Sequence, residues 1–474
     1  MNYQFLPESS SYHPNPSLIG NHCNLRVIVQ SFPMELWGEI FWFYIAPTRN
    51  ALDKGFPDKG SGNPNPVLPL SQVCRYWRQA AHSTPNLWTE LSIRVDHPGD
   101  AALIKAWLGR SFYLPLSLVL FSDSSDAANP DFTIMDIILP ERNRLASLEI
   151  LMPLNYSTLA PIFAEPLNAL HTLRFIATLP TYRSVSTVMG ISGEKVDLSV
   201  LAPHLRNATF HPDFDWDNFF SNVPWSQMAQ LHFPVSHDDA FSILQQCTSL
   251  RRLCIHTNRW EVEDQNMATA LSQSQAFTLP HLRHFDLVLE ASTVEVGVIV
   301  PFFHALTFPA LSKLGINFQW ETTFWDAGAF AEFQARSPNV QHVDIVGGAL
   351  TSAQVISLLR SSPALKTLAL GSCTEYMTNE FLGALQYRES DAEPLAPRLE
   401  VLSCIDWGHI QTIVDESALE DMIRSRWWPV GESHPSSRVA RLGKLSIRWS
   451  PNHPMSDAFI ARMRDCIQDG NIIF

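Results

Sequence analysis

The chain has 474 residues, of which 46% are apolar and 17% are charged, so it can bury a large core and is not disordered over most of its length. Its net charge of −14, with no basic block, argues against binding to nucleic-acid phosphates or to anionic lipid. The length exceeds that of one ordinary core, which predicts either about three domains or a repeat array.

The seven cysteines are scattered, with no Cys-x-x-Cys pair and no histidine spacing typical of a zinc site. They predict reduced thiols, no bound metal and a cytoplasmic or nuclear location. Residues 1–30 are rich in Ser, Pro and Asn and lack a secretory signal, so we expect a disordered N-terminal segment. No apolar stretch reaches the roughly 20 residues that span a bilayer, and no membrane partner is expected.

The first periodic segment lies between Pro33 and Pro47 and predicts a short amphipathic helix that starts and stops at these prolines. Residues 47–66 follow, rich in Gly, Pro and Asn, and favour a loop. Residues 68–82 predict a second amphipathic helix, and residues 83–91 predict a last short turn that closes the unit. The apolar stripes of the two helices are Leu36, Ile40, Phe41, Tyr44 and Ile45, then Leu70, Val73, Cys74, Trp77 and Ala81.

Three ordered strings in this region carry a resemblance to a known family. They are Phe-Pro-x-Glu-Leu from Phe32, Leu-Ser-Gln-Val-Cys-Arg-x-Trp-Arg from Leu70, and Ser-Thr-Pro-x-Leu-Trp ending at Trp88. Together they resemble the F-box-like domain of the large fungal F-box family, over residues 31–91. Two features depart from the family pattern: Phe32 stands where Leu usually precedes the proline, and the 47–66 loop is long. A three-helix subdomain with the same stripes and no partner is the alternative interpretation.

Most of the remaining chain repeats a phrase of three apolar residues, Φ-x-x-Φ-x-Φ, eleven times at intervals of 22 to 43 residues. Its alternating end predicts a short strand, and the helical stripes that precede several copies predict a helix-then-strand unit. The eleven copies are Leu145/Leu148/Ile150, Leu170/Leu173/Phe175, Leu205/Ala208/Phe210, Met228/Leu231/Phe233, Leu250/Leu253/Ile255, Leu282/Phe285/Leu287, Leu311/Leu314/Ile316, Val340/Val343/Ile345, Leu365/Leu368/Leu370, Leu399/Leu402/Cys404 and Leu442/Leu445/Ile447.

This array resembles the irregular leucine-rich repeats that follow the F-box in that family, with residues 107–118 similar to its junction repeat. The predicted fold class is α/β: a small three-helix F-box domain, then a curved leucine-rich-repeat-like solenoid over residues 92–474 with concave strands and convex helices. A helix at 456–467, with Phe459, Ile460, Met463 and Ile467 on one stripe, is expected to cap the end and protect the edge of the last strand.

Motifs of catalysis are not found in the sequence: it has no nucleophile elbow, P-loop, His-Glu-x-x-His or dinucleotide fingerprint. We therefore expect no enzyme activity and no cofactor. Cys247, Cys254, Cys373 and Cys404 fall on or beside apolar repeat positions, which favours buried small side chains over reactive thiols.

The F-box resemblance implies a partner, the Skp-type adaptor that links F-box proteins to a cullin and its RING subunit. It implies that the chain is the substrate-recognition subunit of an SCF-type ubiquitin ligase, with the solenoid holding an unknown protein target. Two alternatives stay open: a scaffold that acts outside any ligase, and an enzyme of degenerate α/β architecture. The predicted adaptor-binding residues are Pro33, Leu36, Ile40, Leu70, Val73 and Trp88.

Several tryptophans follow the repeat phrases within a few residues, where each strand would end. Trp260, Trp320 and Trp407 have charged neighbours there, a composition common in protein interfaces, and form the predicted target-binding set. The alternative is that these rings fold inward and fill space between repeats.

Overall fold

Helices and strands alternate along the chain in the computed structural model. It describes residues 32–51, 67–95, 98–121, 132–152, 160–177, 195–212, 214, 216–257, 277–289, 302–318, 326–348, 350–371, 376–405, 415–428, 438–448, 455–464, 466 and 472–473. The N-terminal segment 1–30 and most of the predicted 47–66 loop lie outside these ranges. The chain divides into two compact units, residues 1–169 and 170–474, which are described in turn.

The first unit begins with three helices and continues with three parallel strands, ordered β1-β2-β3. Short 3₁₀ turns occupy Pro85–Trp88, Pro98–Asp100, Leu139–Arg144 and Ile162–Ala164. The helices are α1 (Met34–Ala51), α2 (Val67–Val73), α3 (Arg75–His82), α4 (Ala101–Arg110) and α5 (Phe132–Ile138); the strands are β1 (Glu90–Arg94), β2 (Leu116–Phe121) and β3 (Leu145–Met152).

Two helix boundaries differ from the prediction. Helix α1 runs to Ala51, past Pro47, because a proline removes one backbone hydrogen bond from a helix without always ending it. The predicted single helix over 68–82 is broken at Cys74, whose backbone is extended and whose Sγ accepts a hydrogen bond from the amide of Trp77 at 3.3 Å. Cys74 is therefore the N-cap of α3 and not a position inside one long helix.

The second unit contains the sheet that carries most of the repeats. Its helices are α6 (Leu198–Leu201), α7 (Trp216–Phe219), α8 (His237–Leu244), α9 (Ala327–Arg336), α10 (Ser352–Ser361), α11 (Asn379–Leu385), α12 (Glu416–Arg426) and α13 (Asp457–Arg462). Its strands are β4 (Thr172–Ala177), β5 (Val196–Asp197), β6 (Asn207–Phe210), β7 (Phe220–Ser221), β8 (Gln230–Pro234), β9 (Arg252–His256), β10 (Phe277–Thr278), β11 (His284–Leu289), β12 (Leu306–Thr307), β13 (Lys313–Phe318), β14 (His342–Val346), β15 (Thr367–Gly371), β16 (Val401–Ile405), β17 (Lys444–Arg448) and β18 (Ile472–Ile473).

The long sheet of this unit runs β4-β6-β8-β9-β11-β13-β14-β15-β16-β17-β18, and the register of its pairs is parallel throughout. Two further pairs of short strands, β5 with β7 and β10 with β12, are also parallel and form separate two-stranded sheets. Each repeat phrase ends in one strand: the first in β3 of unit one, and the others in β4, β6, β8, β9, β11 and β13 to β17. Every apolar position of the eleven phrases is at most 3% exposed. The predicted α/β leucine-rich-repeat-like fold is confirmed.

Helices α8 to α12 occupy the predicted stripes, and their first turns show why they begin where they do. Ser236, Asp326, Thr378 and Asp415 each accept a hydrogen bond from a first-turn amide, and Thr351 forms a reciprocal capping box with Gln354. A small polar residue at this position satisfies an amide that would otherwise lack a partner within the helix.

Arg426, at the end of α12, is almost completely buried. Its guanidinium donates hydrogen bonds to the carbonyl of Leu385 at 2.6 Å and of Ala396 at 3.1 Å, and also to that of Leu395. Burial lowers the pKa of Arg426 to about 10, so the side chain stays charged at neutral pH. These hydrogen bonds hold the segment between α11 and β16 in place, because they satisfy carbonyl groups that lie outside the strands.

The C-terminal helix α13 starts at the N-cap Ser456, with Phe459 and Met463 buried and Ile460 exposed. Glu416 of α12 accepts hydrogen bonds from the amide and hydroxyl of Ser456 at 2.7 and 2.6 Å. Residue 467 of the predicted stripe lies outside the described ranges. The outer edge of β17 pairs with β18, so a further strand covers the edge that we expected the helix to protect.

Candidate adaptor-binding and target-binding surfaces

Helix α1 has apolar side chains on two sides. On one side Phe41 and Ile45 are buried, and the rings of Trp37 and Phe41 each lie 5.0 Å from that of Trp77 on α3. This aromatic cluster joins α1 to α3. On the other side, large apolar residues at helical spacing are exposed to solvent: Leu36, Ile40, Phe43 and Tyr44.

Gly38 sets how closely α1 approaches the turn before Trp88. A Cβ on this glycine would lie 2.5 Å from Oγ1 and 3.0 Å from Cγ2 of Thr84. The Thr84 hydroxyl is held in place, because it donates a hydrogen bond to the carbonyl of Ala80 at 2.8 Å. A residue without a side chain is therefore needed at this contact.

Four of the six predicted adaptor-binding residues are exposed. Leu36 and Ile40 on α1 are 49% and 45% exposed, and Val73 at the end of α2 is 61% exposed. Pro33 is also exposed. The residue before it is tied to α3, because the Tyr76 hydroxyl donates a hydrogen bond to the carbonyl of Phe32 at 2.5 Å. We call Pro33, Leu36, Ile40 and Val73 the helical apolar surface.

The other two predicted residues do not lie on that surface. Leu70 is 8% exposed and Trp88 is 0% exposed. The Trp88 indole donates a hydrogen bond to the carbonyl of Ala81 at 2.7 Å and meets Trp107 of α4 edge-on, with ring centroids 4.4 Å apart. The guanidinium of Arg110 lies 4.5 Å from the Trp88 ring. Trp88 thus packs between α3 and α4 as a core residue.

The predicted target-binding tryptophans, Trp260, Trp320 and Trp407, lie outside the described residues, so their assignment stays a prediction. Trp216, which follows an earlier phrase, is described. It is buried, its indole donates a hydrogen bond to the carbonyl of Pro234 at 2.7 Å, and its ring stacks on Phe210. For this tryptophan, the inward-packing alternative is correct.

The strands of the second unit also present a row of side chains that local sequence patterns do not single out. The residue between the last two apolar positions of each phrase points away from the core, and the parallel register sets these residues side by side. The row runs Arg174, Thr209, His232, Cys254, Asp286, Gly315, Asp344, Ala369, Ser403 and Ser446. We call the sheet surface that bears this row the open face.

Titratable groups on the open face are perturbed by their partial burial. Burial, with the charges of His256, Arg174 and His211, lowers the pKa of His232 to about 3, so its imidazole is neutral at pH 7. Burial and the nearby Asp286 raise the pKa of the Asp344 carboxyl. The open face is therefore polar and mixed in charge, in contrast with the apolar core on its other side.

The cysteines of this unit differ in environment. Burial raises the pKa of the Cys247 and Cys404 thiols to about 12, as expected for small core side chains. Cys254 is different, because it is half-buried on the open face and not in the core. Cys373 lies outside the described residues. In the described ranges no helix is both long enough and apolar enough to cross a membrane.

No protein-family profile matches the chain, and neither does any curated protein sequence. Solved structures share a general likeness. Rad7, in its complex with Elc1 from yeast, has 16% identity and a TM-score of 0.38, covering 94% of this chain and 97% of that one. The internalin InlF of Listeria monocytogenes has 13% identity and a TM-score of 0.28, covering 72% and 87%. A Bacteroides fragilis protein has 13% identity and a TM-score of 0.29, covering 74% and 76%. Scores this low carry no inference about function.

Proposed function

We propose that the chain is the substrate-recognition subunit of a cullin-RING ubiquitin ligase. In this proposal the helical apolar surface binds a Skp-type adaptor, and the repeat unit holds a protein target. The chain then catalyses nothing itself, because its role is to raise the concentration of target lysines near the ubiquitin-charged enzyme. The motif strings between Phe32 and Trp88 supply the identity of the partner.

The observation that carries the proposal is where exposed apolar side chains concentrate. The described residues include twelve large apolar side chains that are exposed, and seven of them lie between residues 32 and 73. The three helices of that region are too short to bury two apolar sides of α1 themselves. An apolar surface of this kind is typical of a protein interface, and the sequence strings that resemble an F-box fall on the same helices.

The target would bind to the second unit. Its open face presents a row of mostly polar and charged side chains, which is the composition of a recognition surface more than of a core. The tryptophans Trp260, Trp320 and Trp407 follow the same strands in sequence and remain our candidates for anchoring a target beside this face.

The decisive experiment combines Pro33→Ala with Ile40→Ala and measures capture of the purified adaptor by the full chain. Both positions are exposed, so helix content by circular dichroism and the unfolding midpoint should stay the same. Loss of two apolar contacts of about 2 kcal/mol each predicts a more than 100-fold weaker complex.

Ile460→Ala is the matched control, because Ile460 is 41% exposed on a helix of the second unit, compared with 45% for Ile40. It should leave adaptor capture unchanged. Full adaptor binding by the double variant would refute the assigned surface. Adaptor binding without co-purification of cullin would instead favour the scaffold that acts outside a ligase.

A further inference from the structure

Three potential metal ligands meet on the open face of the sheet. His232 lies on β8, opposite Cys254 on β9, and His256 lies two residues further along β9 on the same face. The Nε2 atoms of the two histidines are 2.5 Å apart, and their rings are parallel with centroids at 4.7 Å. One ring nitrogen from each histidine and the Cys254 sulfur all lie within 4.8 Å of one another.

The ligand types are those that zinc prefers, but the two nitrogens lie closer together than a bound ion would hold them. Zinc takes imidazole nitrogen at about 2.0–2.1 Å and thiolate sulfur at about 2.3 Å in tetrahedral geometry, which places its ligand atoms roughly 3.3 to 3.6 Å apart. The two imidazole nitrogens already face each other, so one of them must carry the proton that joins the pair. For a tetrahedral ion to replace that proton, the nitrogens must move apart by roughly 0.8 Å, and the rings must also turn so that both nitrogen lone pairs point at the ion.

We propose that His232, Cys254 and His256 form a binding site for a zinc-class divalent cation, with water as the fourth ligand. Local spacing along the sequence predicts no metal site, because these three residues come together only through strand pairing. Here one ligand comes from β8 and two come from β9, so the ion would link neighbouring repeats across the ladder of parallel strands.

Some nearby charges favour a bound cation and others oppose it. Asp286 stands beside Cys254 in the strand register and adds negative charge, but its carboxylate leans over Gly315, in the space that a side chain there would fill. Arg174 is close enough to affect His232 and opposes a cation. Because the Asp286 carboxylate leans away from the cluster, it is not counted among the ligands, and the set stays at two imidazoles and one thiolate.

The test uses the full chain titrated with Co²⁺ and with Zn²⁺. Cobalt bound to a thiolate in tetrahedral geometry gives a charge-transfer band in the near ultraviolet and intense visible d–d bands, and Zn²⁺ should displace it at one equivalent. Cys254→Ser should abolish the charge-transfer band. Cys254→Ser and His256→Gln should each weaken Zn²⁺ binding by more than about 100-fold, beyond the usual effect of losing an outer-shell partner.

Two matched variants serve as controls. His284→Gln changes a histidine of β11 on the same face, and Cys74→Ser replaces an N-cap by another good N-cap in the first unit. Both should keep the band and the affinity of the unmodified chain. The proposal fails if the unmodified chain gives no thiolate-to-cobalt band. It also fails if Cys254→Ser and His256→Gln, shown to be folded by circular dichroism, bind Zn²⁺ as tightly as the two controls.

Discussion

Trp88→Ala tests whether Trp88 is a core residue of the first unit or a direct contact of the adaptor. The side chain is fully buried against Trp107 and hydrogen-bonded to Ala81, so Trp88→Ala leaves a cavity in the core of the unit. Such a cavity costs about 3 to 5 kcal/mol. This is a large part of the about 5 to 15 kcal/mol that stabilises a typical domain.

The assay is hydrogen exchange of the full chain, followed by mass spectrometry of peptides from residues 67–110. Trp88→Ala should accelerate exchange throughout these peptides and lower their apparent opening free energy by the amount given above. Trp88→Phe keeps the ring contact with Trp107 but loses the indole hydrogen bond, so its effect should be about 1 kcal/mol. Adaptor binding should then weaken only as far as the helices open.

One result would refute this reasoning. If Trp88→Ala left exchange of residues 67–110 unchanged and still abolished adaptor binding, the indole would be a direct contact residue, as the motif resemblance first implied. Because Trp88 is buried, we expect the opposite result: Trp88→Ala accelerates exchange of residues 67–110, and adaptor binding weakens only as a consequence.

Three further predictions address packing and pH. Gly38→Ala should destabilise the first unit, because the added methyl group would clash with Thr84. Gly109→Ala should not, because its added methyl group meets nothing within 4 Å, and thermal unfolding distinguishes the two variants. Arg426→Met should lower the free energy of unfolding by about 3 to 5 kcal/mol in urea titration, because buried carbonyls lose a charged donor. The hydrogen bonds from Ser456 hold the pKa of Glu416 below its ordinary value of 4.5, so stabilisation of α13 is present above pH 4.5 and lost as pH falls through the lower, folded-state pKa; smaller protection factors for residues 456–464 in acid, relative to the intrinsic exchange rate at the same pH, would show it.

The repeat strands could be predicted from sequence because their signal is local. A buried strand residue recurs every second position, and a phrase such as Leu368 and Leu370 records this spacing directly. The helices between them could be predicted for the same reason, and a residue such as Thr351 marks where one begins. Irregular spacing between copies affected the loops and left the strands in place.

In the N-terminal helices, the periodicity of apolar residues does not predict which of them are buried. One predicted stripe on α1 contained Ile40 and Phe41, yet Phe41 is buried and Ile40 is exposed. Neighbours in sequence are 100° apart on a helix, so a wide stripe identifies apolar residues without saying which of them the neighbouring helices cover. Trp88 gave the same difficulty, because its packing partner Trp107 comes from a helix beyond the motif.

The cluster of His232, Cys254 and His256 could not be predicted from local spacing. His232 and Cys254 are 22 positions apart, a spacing that matches no metal motif, and only the pairing of β8 with β9 brings the two side chains opposite each other. The usable signal was the position between the last two apolar residues of a phrase, which faces outward in every repeat. The proposed ligands are thus brought together by the pairing of neighbouring strands, one from β8 and two from β9.

The contrast between core and surface explains why the helical apolar surface carries the functional proposal. Burial of apolar area contributes roughly 25 cal/mol for each Å² removed from water, and the repeat phrases gain this by folding alone. Leu36, Ile40 and Val73 gain little of it in the isolated chain, because about half of each side chain or more stays in water. They can gain it only when another surface covers them. A partner that fits α1 and α2 is therefore the simplest physical reason for these residues to be apolar.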